Sequence, residues 1–256
     1  MMNDNMPIIS KRVEKCFMGK SYYEDVYINR EVNLELIINE KPWLFIICTP
    51  NQIEELVVGY LYGENIINCL DDIISININR QKHQAFVYIK QDYPVESKTK
   101  ILTPGFGGGI TFEPLKEYEP LSNSIEVTAD TINKLFIKKQ KIDSLYKACG
   151  GIHSSTIFSC ENIIAFAEDI GRHNTMDKVV GQCLMNNIDT RNSILLTSGR
   201  ISSEMIKKAA RLRIPVLVSL SAATEKSITF AEKMNITLIG YCKEKSFIKY
   251  TQNVNY

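Results

Sequence analysis

Apolar and polar positions change their period several times along the chain, and each change predicts an element. Residues 1 to about 20 hold no sustained period and read as a loose start. Val26, Ile28, Val32, Leu34, Leu36 and Ile38 then alternate as a strand does, and Asn39-Glu40 makes a turn before the apolar run Trp43 to Cys48. Thr49-Pro50 reads as a helix opening, with Thr49 as cap and Pro50 at the first helical position. Ile53, Leu56, Val57, Tyr60 and Leu61 repeat at helical spacing, and Gly63 marks the stop. Ile74, Ile76 and Ile78 alternate again, Arg80 to Gln84 turns, and Ala85 to Ile89 returns as a partner strand. These elements predict a small α+β unit of roughly a hundred residues.

A stretch punctuated by Pro94, Pro104, Pro114 and Pro120 follows, with the glycine-rich loop 103–111 at its centre. Three consecutive glycines either make a flexible connection or let bare backbone approach a ligand. This divides the chain into 1–115 and 116–256. The second unit opens with a helix from about Ala129 to Tyr146, carrying Ile132, Leu135, Phe136, Ile142 and Leu145 on one face. A hairpin of Ile152 to Ser159 and Ile163 to Ala167 turns at Cys160-Glu161-Asn162. A helix from Asn174, with Asn174 as cap and Asp177 complementing the dipole, puts Met176, Val179, Val180, Cys183 and Leu184 inward. Strand Ile194 to Leu196, a helix capped by Ser202 or Ser203 and ending near Leu212, strand Val216 to Val218, helix Thr224 to Met234 and strand Ile236 to Ile239 complete it. Right-handed crossovers make the last three strands parallel, with helices on both faces: an α/β class with a mixed sheet. Ligands of such sheets sit beyond the carboxyl ends of the strands, where the loops starting at Asp169, Thr197 and Ser219 fall.

Composition narrows the function classes. The 256 residues are 45% hydrophobic with a formal net charge of +1, so neither a nucleic-acid footprint nor a membrane-attracting face is expected. Seven cysteines are scattered without a C-x-x-C pair, which fits a reduced, cytoplasmic setting better than a disulfide framework. Residues 1–12 have no apolar core of the signal-peptide kind, and Trp43 to Cys48 is too short to cross a bilayer.

The element order of the second unit is also that of the cytidine-deaminase fold, and its chemistry can be tested at once. A zinc deaminase needs His or Cys with a Glu two residues on at one helix start, and P-C-x-x-C at the next. Here the two starts read Gly171-Arg172-His173-Asn174 and Ser198-Gly199-Arg200-Ile201-Ser202, so three zinc ligands cannot be assembled and no metal held by side chains is expected. The same loops suit a phosphate-bearing ligand. Arg172 and Arg200 are planar forks for phosphate, Ser198, Ser219, Ser221 and Thr224 add hydroxyls, and Gly199 permits close backbone approach. The alternative for each loop is internal: Arg172 paired with Asp169 or Glu168, Arg200 with Glu204, hydroxyls capping helices, and His153 and His173 as satisfied, partly buried histidines.

Gly150-Gly151-Ile152-His153, Glu168-Asp169-Ile170-Gly171-Arg172-His173-Asn174 with Asp177-Lys178, Ser198-Gly199-Arg200 with Ser203-Glu204-Met205, and Ser219, Ser221-Ala222 and Thr224 resemble the FdhD family, the formate dehydrogenase accessory sulfurtransferases. Glu31 to Pro42, Thr49 to Ile67 and Thr237 to Lys243 match as well, so the resemblance spans nearly the whole chain. It implies a cytidine-deaminase-like second domain and a homodimer. It also implies a carrier that takes sulfur as a persulfide from a cysteine desulfurase and passes it to bis-molybdopterin guanine dinucleotide, the molybdenum cofactor, before insertion into formate dehydrogenase. It implies cofactor contacts at Tyr241, Cys242, Lys243, Glu244, Lys245 and Ser246. One departure matters: the family's loop carries a reactive cysteine, where this chain has Phe106-Gly107-Gly108-Gly109. Either sulfur transfer is lost and a non-catalytic cofactor-binding chaperone remains, or another thiol serves. Cys149 is the candidate, activated by Arg172 or His173 if those cations lower its pKa; otherwise it is a small residue ending a helix.

Overall fold

A computed structural model describes residues 6–91, 100–102, 119–123 and 125–252. The glycine-rich loop 103–111, Phe106 and the 115/116 boundary lie outside the described residues. The stretch that reads as a loose start is instead an antiparallel ribbon of β1 (Ile8–Phe17) and β2 (Lys20–Asn29). Met18 and Gly19 turn it with positive φ at both positions, the backbone that matches strand twist in a two-residue hairpin. Its period is masked in the sequence because Lys11 and Lys15 stand between Ile9, Val13 and Phe17 on one face.

Arg30 and Glu31 separate this ribbon from a second sheet, so the alternation from Val26 to Ile38 belongs to two strands. That sheet contains β3 (Val32–Ile38), β4 (Lys41–Cys48), β5 (Ile73–Asn79), β6 (Gln84–Ile89) and β7 (Lys100–Leu102), in the order β5-β6-β3-β4-β7 among the described residues. Helix α1 (Ile53–Gly63) covers it, burying Leu56, Val57, Tyr60 and Leu61 against Leu34, Leu36, Leu44 and Ile46. The helix begins at Ile53, not at Pro50 as Thr49-Pro50 predicts. Thr49 is already engaged, its backbone N–H donating to Asp169 at 3.0 Å and its hydroxyl lying 2.8 Å from the same carboxylate.

The third sheet is the mixed one. After α2 (Ala129–Ile142) and α3 (Ser144–Cys149) come β8 (His153–Ser159), β9 (Asn162–Asp169), α4 (Arg172–Met185), β10 (Ser193–Thr197), α5 (Ser203–Arg211), β11 (Val216–Ser219), α6 (Glu225–Lys233), β12 (Thr237–Lys243) and β13 (Ser246–Lys249). Their order is β13-β12-β11-β10-β8-β9, with β10, β11 and β12 parallel and the remaining pairs antiparallel. Helices α4, α5 and α6 pack on one face through Val179, Met205 and Ala231, and α2 packs on the other through Ile132, Leu135 and Phe136. This is the cytidine-deaminase-like arrangement joined to a smaller α+β unit. The predicted single helix Ala129–Tyr146 breaks at Asp143. Helix α4 starts at Arg172 with Gly171 as its cap, so Asn174 is not the cap: its amide donates to Ile47 O and Asp169 Oδ1, both at 2.8 Å. Asp177 does not serve the dipole either, being buried in an ion pair with Lys208. The last predicted strand runs on to Lys243 and returns as β13.

The two sheets meet where α1 crosses α4. A Cβ on Gly59 would lie 1.8 Å from the Asp177 carbonyl oxygen, and one on Gly181 would lie 1.9 Å from that of Glu55, so only bare backbone allows this approach. The close crossing brings Thr49 to Asp169 and Glu64 to Lys208.

Candidate functional site

At one edge of the mixed sheet, the carboxyl ends of β9, β10 and β11 meet the start of β8, because β8 runs antiparallel to both β9 and β10. His153 opposes Asp169 and Ser155 opposes Thr197, so the loops after Asp169 and Thr197 leave from neighbouring strands. Ser198 is fixed there: its N–H donates to Ser154 O at 2.9 Å, its hydroxyl accepts from Ser154 N at 2.9 Å, and His153 Nδ1 lies 3.2 Å away. Arg172 crosses Gly199, where a Cβ would stand 2.7 Å from the arginine's own Cβ. The space that a side chain would take at Gly199 is therefore filled by Arg172.

Of the internal partners foreseen for the two arginines, Asp169 and Glu168 are already engaged. Asp169 holds Lys178 at 2.6 Å, both side chains fully buried. Glu168 accepts from Leu145 N and Tyr146 N at the start of α3. Glu204 sits 3.8 Å from His173 Nδ1. Arg172 Nε is buried without a hydrogen-bond partner among the described residues. Burial and then the nearby Arg200 charge lower the pKa of the Arg172 guanidinium, with Glu204 opposing them. The same electropositive surroundings reach His153, pushed below the usual histidine range by burial first and by Arg172 next. His173 is driven down to about 3, chiefly by burial and then by Lys208, Arg172 and His153, and its Nε2 is likewise buried without a partner. A buried guanidinium Nε without a partner among the described residues, at a strand-end edge, suits an anion.

Beside this cluster, on the α2 face, opens a cavity of about 780 Å³. His153 and Ser198 stand on its wall with Cys242, Phe136 and Leu220, and Lys141, Lys147 and Lys243 also line it. The remaining predicted positions divide. Ser219 is buried and ties loops together, donating to Gly199 O at 2.6 Å and accepting from Ser221 N at 2.9 Å. Ser221 in turn accepts at its carbonyl from Tyr241 N at 2.8 Å. Tyr241 is exposed at a positive φ of 49°. Glu244 and Lys245 form the exposed turn into β13, which Ser246 begins, and none of these three lines the cavity. The Cys242 thiol is pushed up to about 11 by burial.

Cys149 sits differently from its expected activation. Its sulfur lies 2.8 Å from Asn29 Oδ1 and 3.1 Å from Leu145 O, and burial followed by the Glu168 charge raises its pKa. The lowering that Arg172 or His173 was to supply is absent, and the group is held as a neutral thiol donor. Sequence reasoning also missed Lys139 and Asp143. Lys139 is fully buried and ion-paired with Asp143 at 2.7 Å, and Asp143 lines the cavity. Their only trace in the sequence is a four-residue spacing.

The model of the FdhD/NarQ family matches residues 29–255. The chain belongs to the FdhD/NarQ family. Among relatives of this FdhD/NarQ chain, a protein of Bacillus subtilis (strain 168) is 33% identical over 259 residues, covering 98% of this chain and 97% of the relative. One of Bacillus licheniformis is 30% identical over 250 residues, covering 95% of each, and both are named sulfur carrier protein FdhD. The same fold occurs in the crystal structure of a candidate formate dehydrogenase accessory protein from Desulfotalea psychrophila, with a TM-score of 0.77, 23% identity and coverage of 96% and 97% of the two chains. The FdhD/NarQ loops quoted from the sequence are the ones gathered at this edge.

Proposed function

We propose that this FdhD/NarQ chain is a sulfur carrier for formate dehydrogenase: it accepts sulfur from a cysteine desulfurase and passes it to bis-molybdopterin guanine dinucleotide before insertion. The names of its relatives supply the sulfur-carrying part of this reading. The observation that carries the ligand part is the cavity whose wall holds His153 and Ser198, with Arg172 and Arg200 near enough to His153 to lower its pKa although neither lines the cavity. A dinucleotide pyrophosphate asks for bidentate cations next to a cleft that takes an apolar ring, and those residues fit it. In this reading the cofactor is cargo. Arg172, Arg200 and Lys243 bind its phosphates, while the hydrogen-bonded His153–Ser198 pair offers one donor at the cavity wall. The reading also makes the chain a cytoplasmic homodimer.

A second reading has its own observations. Phe106 occupies the family's loop-cysteine position, and Cys149 is held as a neutral thiol by Asn29 and Leu145. Both favour a cofactor-binding chaperone without sulfur transfer. One experiment separates the two. The protein is incubated with a cysteine desulfurase and cysteine and then weighed intact; a carrier gains one sulfur atom, lost in Cys149→Ser if that thiol receives it. No adduct, together with retained binding of guanosine diphosphate, leaves the chaperone. Failure to bind the diphosphate removes both.

A further inference from the structure

We infer that Asp143 reads the base of the bound nucleotide: its carboxylate accepts the N1–H and 2-amino group of a guanine seated in the cavity and rejects adenine. The inference rests on the cavity being the nucleotide site of the proposed function.

The carboxylate is unusually placed for its position in the chain. Asp143 stands at the N-cap of α3 yet makes no side-chain cap bond. The work of that cap is done from another strand, by Glu168, which accepts from Leu145 N at 3.0 Å, Tyr146 N at 3.1 Å and Ser144 Oγ at 3.0 Å. Asp143 is thereby free of the role its residue type usually fills. It is held instead from behind. Lys139, one turn earlier and fully buried, donates to Oδ1 at 3.0 Å and Oδ2 at 2.7 Å, and also to Ser154 Oγ. An ionised carboxylate offers about four acceptor sites. Lys139 therefore leaves a site open on each oxygen, and Asp143 belongs to the cavity wall with its side chain 11% exposed.

The charge pattern says what the wall is for. Asp143 is the one carboxylate among the described residues lining a cavity that also carries Lys141, Lys147 and Lys243. A bare phosphate would be repelled from Asp143. A ligand with a donor-bearing ring and an anionic tail answers both signs of charge on the wall, and Phe136, Ile137, Ile152 and Leu220 supply apolar surface for the ring. Guanine presents two adjacent N–H donors on one edge, which match the two oxygens of a carboxylate. Adenine presents an acceptor nitrogen there, so its lone pair would face a buried negative charge. A site built to accept a particular N–H discriminates strongly, because the wrong ligand leaves its buried acceptor unpaired.

Calorimetric titration of the full chain with the diphosphates of guanosine, inosine, adenosine and xanthosine tests this. Guanosine diphosphate should bind best, inosine diphosphate about tenfold more weakly for the lost 2-amino group, and adenosine diphosphate about a hundredfold more weakly. Asp143→Asn replaces an acceptor by an amide donor. It should weaken guanosine diphosphate by about tenfold or more and improve xanthosine diphosphate, whose 2-carbonyl accepts. A structural role for Asp143 would weaken all four alike and give no such exchange. If Asp143→Asn does not fold, the wild-type series decides. Adenosine diphosphate binding within about threefold of guanosine diphosphate, or equal losses for guanosine and xanthosine diphosphates in the variant, overturns the assignment but leaves the nucleotide cavity. No binding by any diphosphate overturns the cavity's reading and this assignment with it.

Discussion

Arg172 holds a buried donor that no acceptor among the described residues answers, an arrangement that costs stability until a ligand supplies the acceptor. Arg172→Gln should therefore leave the unliganded protein as stable or slightly more so, while weakening guanosine diphosphate about tenfold or more. Melting and titration, each at two salt concentrations, check both halves; unchanged affinity removes Arg172 from the site. His173 gives a pH dependence whose sign follows from burial. Its folded pKa, about 3, lies below the ordinary value of 6.5, so between those limits the unfolded chain takes up a proton that the folded chain refuses. The contribution is complete above about 6.5 and falls away with acid, at up to about 1.4 kcal/mol per pH unit. His173→Gln should flatten that slope in urea titrations between pH 4 and 6.5; an unaltered slope assigns it to other groups. The place of the two arginines after neighbouring strands was legible because each follows a Gly where an apolar run ends. Lys139 and Asp143 were not. An i,i+4 Lys–Asp pair reads as an exposed helix pair, and only the packing of α2 on the mixed sheet buries it.

Among elements, the crossing of α1 on α4 is the tightest constraint. Hydrophobic period found both helices, yet Gly59 and Gly181 carry no period, and the contact they permit depends on atoms they lack. A methyl at Gly59 would meet the Asp177 carbonyl, which is backbone and cannot rotate aside. Gly59→Ala should cost roughly 3 kcal/mol or more by urea denaturation. Gly19→Ala would add a methyl where nothing lies within 4 Å, so only its φ of +77° opposes the change and about 1 kcal/mol is expected. Equal losses at both positions would mean that the helices can separate without penalty. The ribbon of β1 and β2 escaped the sequence for a different reason: the charges on its apolar face erase alternation.

Across the whole molecule, the three parallel strands and the helices on both faces followed from element order and crossover handedness, whereas the attachment of one sheet to the other did not. That attachment runs through buried charge. Lys178 lies 2.6 Å from Asp169 on the mixed sheet and 3.0 Å from both Thr49 Oγ1 and Asn51 Oδ1 just before α1. Lys208 joins Asp177 of α4 and lies 3.8 Å from Glu64, just past the end of α1. Since neither sheet can leave without stranding one of these charges, the cores should unfold together, and calorimetry of the wild type should show a single transition. Lys178→Met removes the shared ammonium and leaves Asp169 with neutral donors alone. It should lower the unfolding free energy by about 3–5 kcal/mol, with the urea slope unchanged because the same surface is exposed in one step. Adding Asp169→Asn to that variant should recover part of the loss, because the stranded carboxylate is the larger share of the cost. Two resolved transitions in the wild type would show that the buried charges at the junction do not couple the sheets.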